Sequence, residues 1–290
     1  MLDRLKVLPQ YIIPQQALTA LAGRIASAQA GRWSTWLIRW FVRRYQVNLA
    51  EAAQPDLSRY ASFNDFFTRA LATSARPAAQ AALLCPVDGR ISQLGRIVAG
   101  QLLQAKGHWF DSAALLGGDA HLAAQFEDGS YATLYLSPRD YHRVHMPLTG
   151  RLKRMVYVPG ALFSVNPATA RTVPGLFARN ERVVCVFESA HGPFVLVLVG
   201  AAIVGGIATV WHGVVNAERQ GVLREWHYAQ AAVQLHQGEE MGRFLLGSTV
   251  VALFPPHTPA FHPAWLPGRV VRLREAMSAA ESGAEKTRDA

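Results

Sequence analysis

Cysteine is nearly absent from this chain, with two in 290 residues, Cys85 and Cys185. Two thiols build neither a disulfide framework nor a zinc site, so both read as reduced, buried cysteines of a cytosolic protein. Lysine is scarce too: only Lys6, Lys106, Lys153 and Lys286 stand among 29 basic residues. A pyridoxal-type enzyme would need Lys106 or Lys153 beside a glycine-rich phosphate loop, and neither has one. Acids are outnumbered, 20 against 29, leaving a net charge of +9 and an isoelectric point near 10.0. That surplus points to a polyanionic partner, either nucleic acid or an anionic membrane. Charged residues make up only 17% of a half-hydrophobic chain, which excludes a disordered or solvated-tail protein. No repeat recurs at periods of about 20 to 50 residues.

Long apolar runs are equally sparse. The first residues, MLDRLKVLPQYIIPQQ, carry early charges and two prolines and lack the apolar stretch and cleavage site of a signal peptide. Phe194–Val215 has no formal charge over 22 residues, about the length that spans a bilayer. It is broken by Gly200, Gly205, Gly206 and Gly213 and rich in valine and isoleucine. Glycine punctuation between short β-branched runs predicts two or three buried strands, not one helix.

Arg32–Val47, RWSTWLIRWFVRRYQV, is different in kind. At helical spacing Trp33, Trp36, Leu37, Trp40 and Phe41 share one face, and Arg32, Arg39 and Arg43 stack on a neighbouring stripe. Residues 1–50 hold seven basic side chains and one acid, Asp3. Such a helix suits a membrane interface, where indoles sit at headgroup depth and guanidiniums meet lipid phosphates. A core helix whose arginines reach water fits the same pattern. Nucleic acid fits less well, because the aromatics do not alternate with basic residues as on an exposed binding sheet.

The pattern predicts an α+β protein. Residues 1–75 form a helical region, a candidate for membrane docking, with Ser62 and Asp65 in SFNDFF as a capping box. Residues 76–275 form a mostly antiparallel β-rich domain, with strands expected at Tyr131–Leu136, Met155–Val158, Val183–Phe187 and Phe194–Val199. Residues 276–290, small and charged, are expected to be a disordered tail.

Three polar clusters interrupt the β-rich region. In CPVDGRIS, Asp88 precedes Gly89, a pair that alone suggests a turn. In SPRDYHRVHMP, His142 and His145 stand three apart, suited to acid–base work or to hydrogen bonding at a surface. Metal ligation lacks an obvious third ligand and the HExxH spacing. In FLLGSTVVALF, Gly247 and Ser248 sit between apolar runs, where a bulge is the ordinary explanation. Together Asp88, one histidine and Ser248 can form an Asp–His–Ser relay, acting on an external ester or on the peptide bond before the serine. The G-x-S-x-G elbow of a serine hydrolase is missing around Ser248.

The blocks PVDG, YHRVHMP and LGST, in this order, resemble the prokaryotic phosphatidylserine decarboxylase proenzymes. The similarity extends to FNDFFTRAL…RP (63–77), GALFSVNP (160–167) and GEEMGRFLLGST (238–249), so it covers most of the chain up to about residue 274. The resemblance implies a carboxy-lyase of phospholipid biosynthesis that converts phosphatidylserine to phosphatidylethanolamine. It also implies self-cleavage between Gly247 and Ser248, driven by Asp88, His145 and Ser248. The products would be a large chain, 1–247, and a 43-residue small chain, 248–290. Ser248 would become a covalent pyruvoyl group, the cofactor, which forms a Schiff base with the substrate amine. His142 is expected to protonate the carbanion left by carbon dioxide. No metal or nucleic acid is implied. The implied partners are phosphatidylserine, an anionic membrane surface and the two chains of one precursor; a homodimer is compatible. The expected location is the cytoplasmic face of the cell membrane, held peripherally. A membrane-associated serine hydrolase of lipid esters is the rival reading.

Overall fold

In a computed structural model, the structure describes residues 7–12, 14–202, 206–216, 221–228 and 233–279. Two amphipathic helices open it, α1 (Gln15–Ser27) and α2 (Arg32–Tyr45), followed by single helical turns and the short α3 (Phe63–Phe67). The helical region is therefore more broken than its composition predicts, because prolines and short polar stretches stop each segment after a turn or a few. The capping box is present with a small offset. Ser62 Oγ accepts from the Asp65 N–H at 3.1 Å, and the Asp65 carboxylate accepts from the Ala61 N–H at 3.0 Å. It turns Phe63, Phe66 and Phe67 into a cluster with Ile38 and Phe41 of α2.

Strands follow in chain order. The first six are β1 (Gly89–Arg96), β2 (Gln101–Ala105), β3 (His108–Asp111), β4 (Ser130–Leu136), β5 (Arg143–His145) and β6 (Gly150–Val158). Next come β7 (Arg182–Ser189), β8 (Gly192–Val199), β9 (Ile207–Thr209), β10 (Gly213–Val214) and β11 (Arg224–His227). The last are β12 (Gln234–Leu235), β13 (Glu240–Phe244), β14 (Ser248–Phe254) and β15 (Val270–Val271). A large antiparallel sheet runs β11-β6-β7-β8-β14-β4-β1-β15, with β12 also on β6. A smaller sheet runs β10-β9-β13-β5, and β2 and β3 form a ribbon. All four strands expected from the sequence lie within β4, β6, β7 and β8.

The central strands β7, β8 and β14 of the large sheet are buried on both faces, which explains their unbroken apolar runs. Along β8, Phe194, Leu196 and Leu198 enter one core and Val195, Val197 and Val199 enter the other. β14 divides likewise, Val250 and Ala252 against Val251 and Leu253. The first core is closed by the small sheet through Val144, Ile207, Met241 and Phe244. The second is closed by the ribbon and short helical turns through Leu102, Phe110, Leu115 and Phe177. Each such side chain stabilises the fold by about 1.5–3 kcal/mol. Phe194–Val215 is thus β8, β9 and β10, with Gly205 outside the described residues. No helix among the described residues is long and apolar enough to cross a membrane.

Two boundaries need correction. The tail was expected from residue 276, yet Ala276 pairs with Leu84 and Ser278 with Phe261, and Met277 and Ser278 are fully buried. Ser278 Oγ accepts from the Leu83 N–H at 3.1 Å. Pairing to a strand near the domain's start holds these small residues in place, and those from 280 lie outside the described residues. On α2, Trp33, Trp36 and Trp40 are exposed, but Phe41 is buried with Ile38, so the expected aromatic face splits. The phenylalanines of α3 supply an apolar partner for only one edge of it. Cys85 and Cys185 are free, buried thiols, and burial pushes both up beyond the range in which they ionise.

Candidate active site

The two motif-bearing segments leave the large sheet side by side. β4 ends at Leu136, opposite Ser248, the first residue of β14. Beyond Leu136 the chain turns at Ser137–Asp140, where the Asp140 carboxylate accepts from the Ser137 N–H and hydroxyl at 2.7 Å each. It then enters the small sheet as β5, paired with β13. On the return path, the Phe244 N–H donates to the His142 carbonyl at 3.0 Å, and the chain reaches Gly247 three residues later. His142 and the Gly247–Ser248 bond therefore occupy one crossover between two sheets, and His145 lies three residues further on, at the end of β5. Gly247 adopts φ +33°, a conformation open to glycine and disfavoured for a residue with a side chain.

Asp88 arrives from the other side of β4. Its neighbour Gly89 opens β1 against the end of β4, and a Cβ there would lie 2.4 Å from the Tyr135 carbonyl oxygen. Only glycine permits that approach, which accounts for the Asp-Gly pair. With β4 lying between β1 and β14, two inter-strand spacings put the Asp88 and Ser248 backbones about 10 Å apart.

The side chains have other partners than a simple relay predicts. Arg76 takes both oxygens of Asp88, through Nε at 2.9 Å and Nη2 at 2.5 Å, and the Leu273 N–H adds a third hydrogen bond at 2.8 Å. Arg76 Nη2 also reaches Glu51 at 2.8 Å, which holds the Glu51 carboxyl below its ordinary range. His145 donates from Nδ1 to the Gly238 carbonyl at 2.8 Å, which leaves Nε2 as the acceptor for the Tyr141 hydroxyl at 3.1 Å. Burial pushes this imidazole down, so it is neutral and carries a usable lone pair. Tyr141 is pushed up to about 12 by burial and stays a phenol. The expected Asp88–His145 hydrogen bond is not formed. The two meet through the backbone instead, the His145 N–H donating to the Pro86 carbonyl at 2.9 Å. The bidentate arginine and the Gly238 carbonyl have claimed the groups that such a bond would join.

His142 is wholly buried and lies against the Phe67 ring, with centroids 4.0 Å apart. Its Nδ1 donates to the Asp140 carbonyl at 2.8 Å, and its Nε2 has no partner among the described residues. Burial pushes it down to about 3, so it is an uncharged base above that pH. An unsatisfied nitrogen in a buried crossover is costly unless it has chemistry to do. A covalent group made from Ser248 fits here, since the residue before it has no side chain and a bare imidazole nitrogen is held in the same crossover.

Sequence reasoning missed Arg76, Glu51 and Tyr141. Arg76 falls in the RP block and Tyr141 precedes His142, so both were in view, but nothing local says which carboxylate or imidazole they bind. Glu51 and Phe67 of the helical region touch the site, through Arg76 and His142 respectively. A serine hydrolase would present its nucleophile on an exposed elbow, whereas Ser248 opens a strand with neighbours on both sides.

A sequence model of the family described as phosphatidylserine decarboxylase matches residues 63–279, and a second, described as PSD, matches residues 5–46. The chain is 68% identical to the phosphatidylserine decarboxylase proenzyme of Albidiferax ferrireducens, over 96% of this chain and 98% of that protein. Those of Dechloromonas aromatica and Variovorax paradoxus are each 66% identical over the same shares. A family match over most of the length, with relatives alike from end to end, shows that this chain belongs to the phosphatidylserine decarboxylase family.

Proposed function

We propose that this chain is a proenzyme that cuts itself between Gly247 and Ser248 and then, as a carboxy-lyase, decarboxylates phosphatidylserine to phosphatidylethanolamine. The observation that supports the reading is the placement of Gly247–Ser248 at the crossover that carries His142, with Leu136 opposite Ser248 and the Phe244 N–H on the His142 carbonyl, and with His145 three residues further along β5. Tyr141 yields its place on His145 Nε2 to the Ser248 hydroxyl, whose proton Nε2 takes. The serine oxygen adds to the Gly247 carbonyl, the C–N bond breaks, and the Ser248 amine leaves with a proton, giving an ester. Loss of the Ser248 α-proton expels the Gly247 carboxylate, and water releases ammonia to leave a pyruvoyl group. Asp88, fixed by Arg76, is the third member of the relay, and the Glu240 carboxylate supplies the negative charge that favours the His145 cation.

The pyruvoyl group supplies an electron sink for the pair left when carbon dioxide departs. His142 serves as the proton carrier at the substrate carbon. Its Nε2 has no partner among the described residues, which leaves that nitrogen free to face the substrate carbon. Phe67 over the imidazole keeps water from competing.

Peripheral attachment to the cytoplasmic face of the cell membrane belongs to the same proposal. Trp33, Trp36 and Trp40 of α2 and Leu18, Leu21 and Ile25 of α1 are all exposed, each set at i, i+3, i+7 spacing, with Arg32, Arg39 and Arg43 exposed beside the tryptophans. Such a face enters the headgroup layer without spanning it. Replacing the three tryptophans by serine is expected to weaken binding to vesicles containing about one-third anionic lipid at least 10-fold, read by co-sedimentation; unchanged binding sinks the docking face. A homodimer is compatible with this geometry and is read from the mass in solution.

The test of the central reading is the intact mass of freshly purified protein. Two species are expected, residues 1–247 and 248–290, the smaller bearing a ketone in place of its amino group. A single 31.7 kDa chain that never splits in the presence of lipid overturns self-processing.

A further inference from the structure

Beside the cleavage crossover lies a cavity of about 230 Å³ whose wall includes Asp88, Gly89 and Tyr141, so it opens onto the proposed machinery. At that size it takes a headgroup and not acyl chains, since pockets that enclose drug-sized ligands run to about 300–1,000 Å³. Four arginines line it, Arg69, Arg76, Arg139 and Arg272, against three carboxylates. Arg76 is committed to Asp88 and Glu51, and Arg272 lies 3.9 Å from Glu51. Arg139 is 4.0 Å from Asp140.

Arg69 is the unmatched charge. It is 4% exposed, and it makes no ion pair with a described carboxylate. Its guanidinium lies over the Phe66 ring at 5.1 Å, and Nη2 donates to the Arg139 carbonyl at 3.2 Å. Nε and Nη1 are buried and have no acceptor among the described residues. Burial disfavours its charged form, as expected for a guanidinium that awaits an anion. A buried cation with idle donors is costly to hold, and the capping box and aromatic cluster of α3 hold it there regardless.

We propose that Arg69 forms the floor of a binding site for the phosphodiester of the lipid headgroup, so that the substrate enters with its phosphate on this arginine and its serine beside the crossover. The inference rests on the decarboxylase reading above. The substrate carries two anions, and the phosphate is the better ligand. Neutralising the carboxylate would stabilise the ground state of the group that must leave, and so slow its loss. The phosphodiester keeps its charge throughout the reaction, and holding it orients the serine without raising the barrier.

The experiment compares phosphatidylserine with a long-chain serine ester that lacks phosphate, in Arg69→Met and in the unaltered protein. The ratio of kcat/KM for the two substrates is expected to fall about 10- to 100-fold in the variant, the worth of a charged hydrogen bond or two. A ratio that does not change overturns the site, whether both activities fall together or neither does. Binding is read independently of decarboxylation by titrating both proteins with sn-glycerol 3-phosphate and following Tm. A rise in the unaltered protein that is lost in Arg69→Met supports the site; no rise, or an equal rise in both, overturns it. Should Arg69→Met fail to fold, Arg69→Lys takes its place, with a partial loss expected in each readout. If the unaltered protein releases no carbon dioxide from phosphatidylserine, the decarboxylase reading fails, and the thermal titration still decides the anion site.

Discussion

Ser248→Ala is expected to leave the protein as a single 31.7 kDa chain indefinitely, because alanine has no oxygen to place on the Gly247 carbonyl and no group that can become a ketone. His145→Gln separates the base from the nucleophile. Glutamine can still hold the Tyr141 hydroxyl but cannot take a proton, so cleavage should slow by about 10²- to 10⁴-fold, the usual contribution of a positioned general base. His142→Gln gives the complementary result: the chain splits, since this imidazole is not the base for Ser248, yet carbon dioxide release falls by a similar factor. Time-resolved intact mass and carbon dioxide evolution distinguish the three. Rapid splitting of His145→Gln would show that another group activates the serine. Full decarboxylation by His142→Gln would remove that residue from the reaction.

Arg76→Met is expected to be among the most destabilising single substitutions in the chain. It leaves Asp88 buried and Glu51 largely so without their cation, and removing one partner of a buried ion pair costs about 3–5 kcal/mol. For a domain of this size that lowers Tm by about 10 °C. The pH dependence carries a second signature. In the unaltered protein Arg76 lowers the Glu51 carboxyl in the folded state, so the stability from this pair is present above about pH 4.5 and is lost as the pH falls through the lowered value. Without Arg76 the carboxyl returns upward, and acid protonates it at less cost to the fold. The Tm difference between the two proteins should therefore shrink below pH 4.5. Adding Asp88→Asn to Arg76→Met should recover part of the stability, because the amide no longer needs a cation. Equal melting curves for Arg76→Met and the unaltered protein would show that Asp88 and Glu51 find solvent instead.

The sequence alone determined everything that depends on neighbouring residues. Alternating apolar runs broken by glycine are enough to reject a membrane span over Phe194–Val215 and to predict strands. The PVDG, YHRVHMP and LGST blocks carry the resemblance to the family, and the Asp-Gly pair suggests a turn, because each is legible in a few consecutive residues. The tertiary structure alone decided which partner each polar group takes. Asp88 could bind a histidine or an arginine, and the choice fell to Arg76 because its backbone, held near Glu51 and the start of the β-domain, presents two donors to both oxygens at once. His145 could point its proton either way, and a carbonyl from Gly238, 93 residues on, fixed the tautomer. The faces of α2 were likewise undecided until α3 covered Phe41 and left the tryptophans bare. Hydrogen bonds and apolar contacts between distant segments compete for the same few groups, and register between strands settles that competition; it is a property of the assembled sheets and of no single segment.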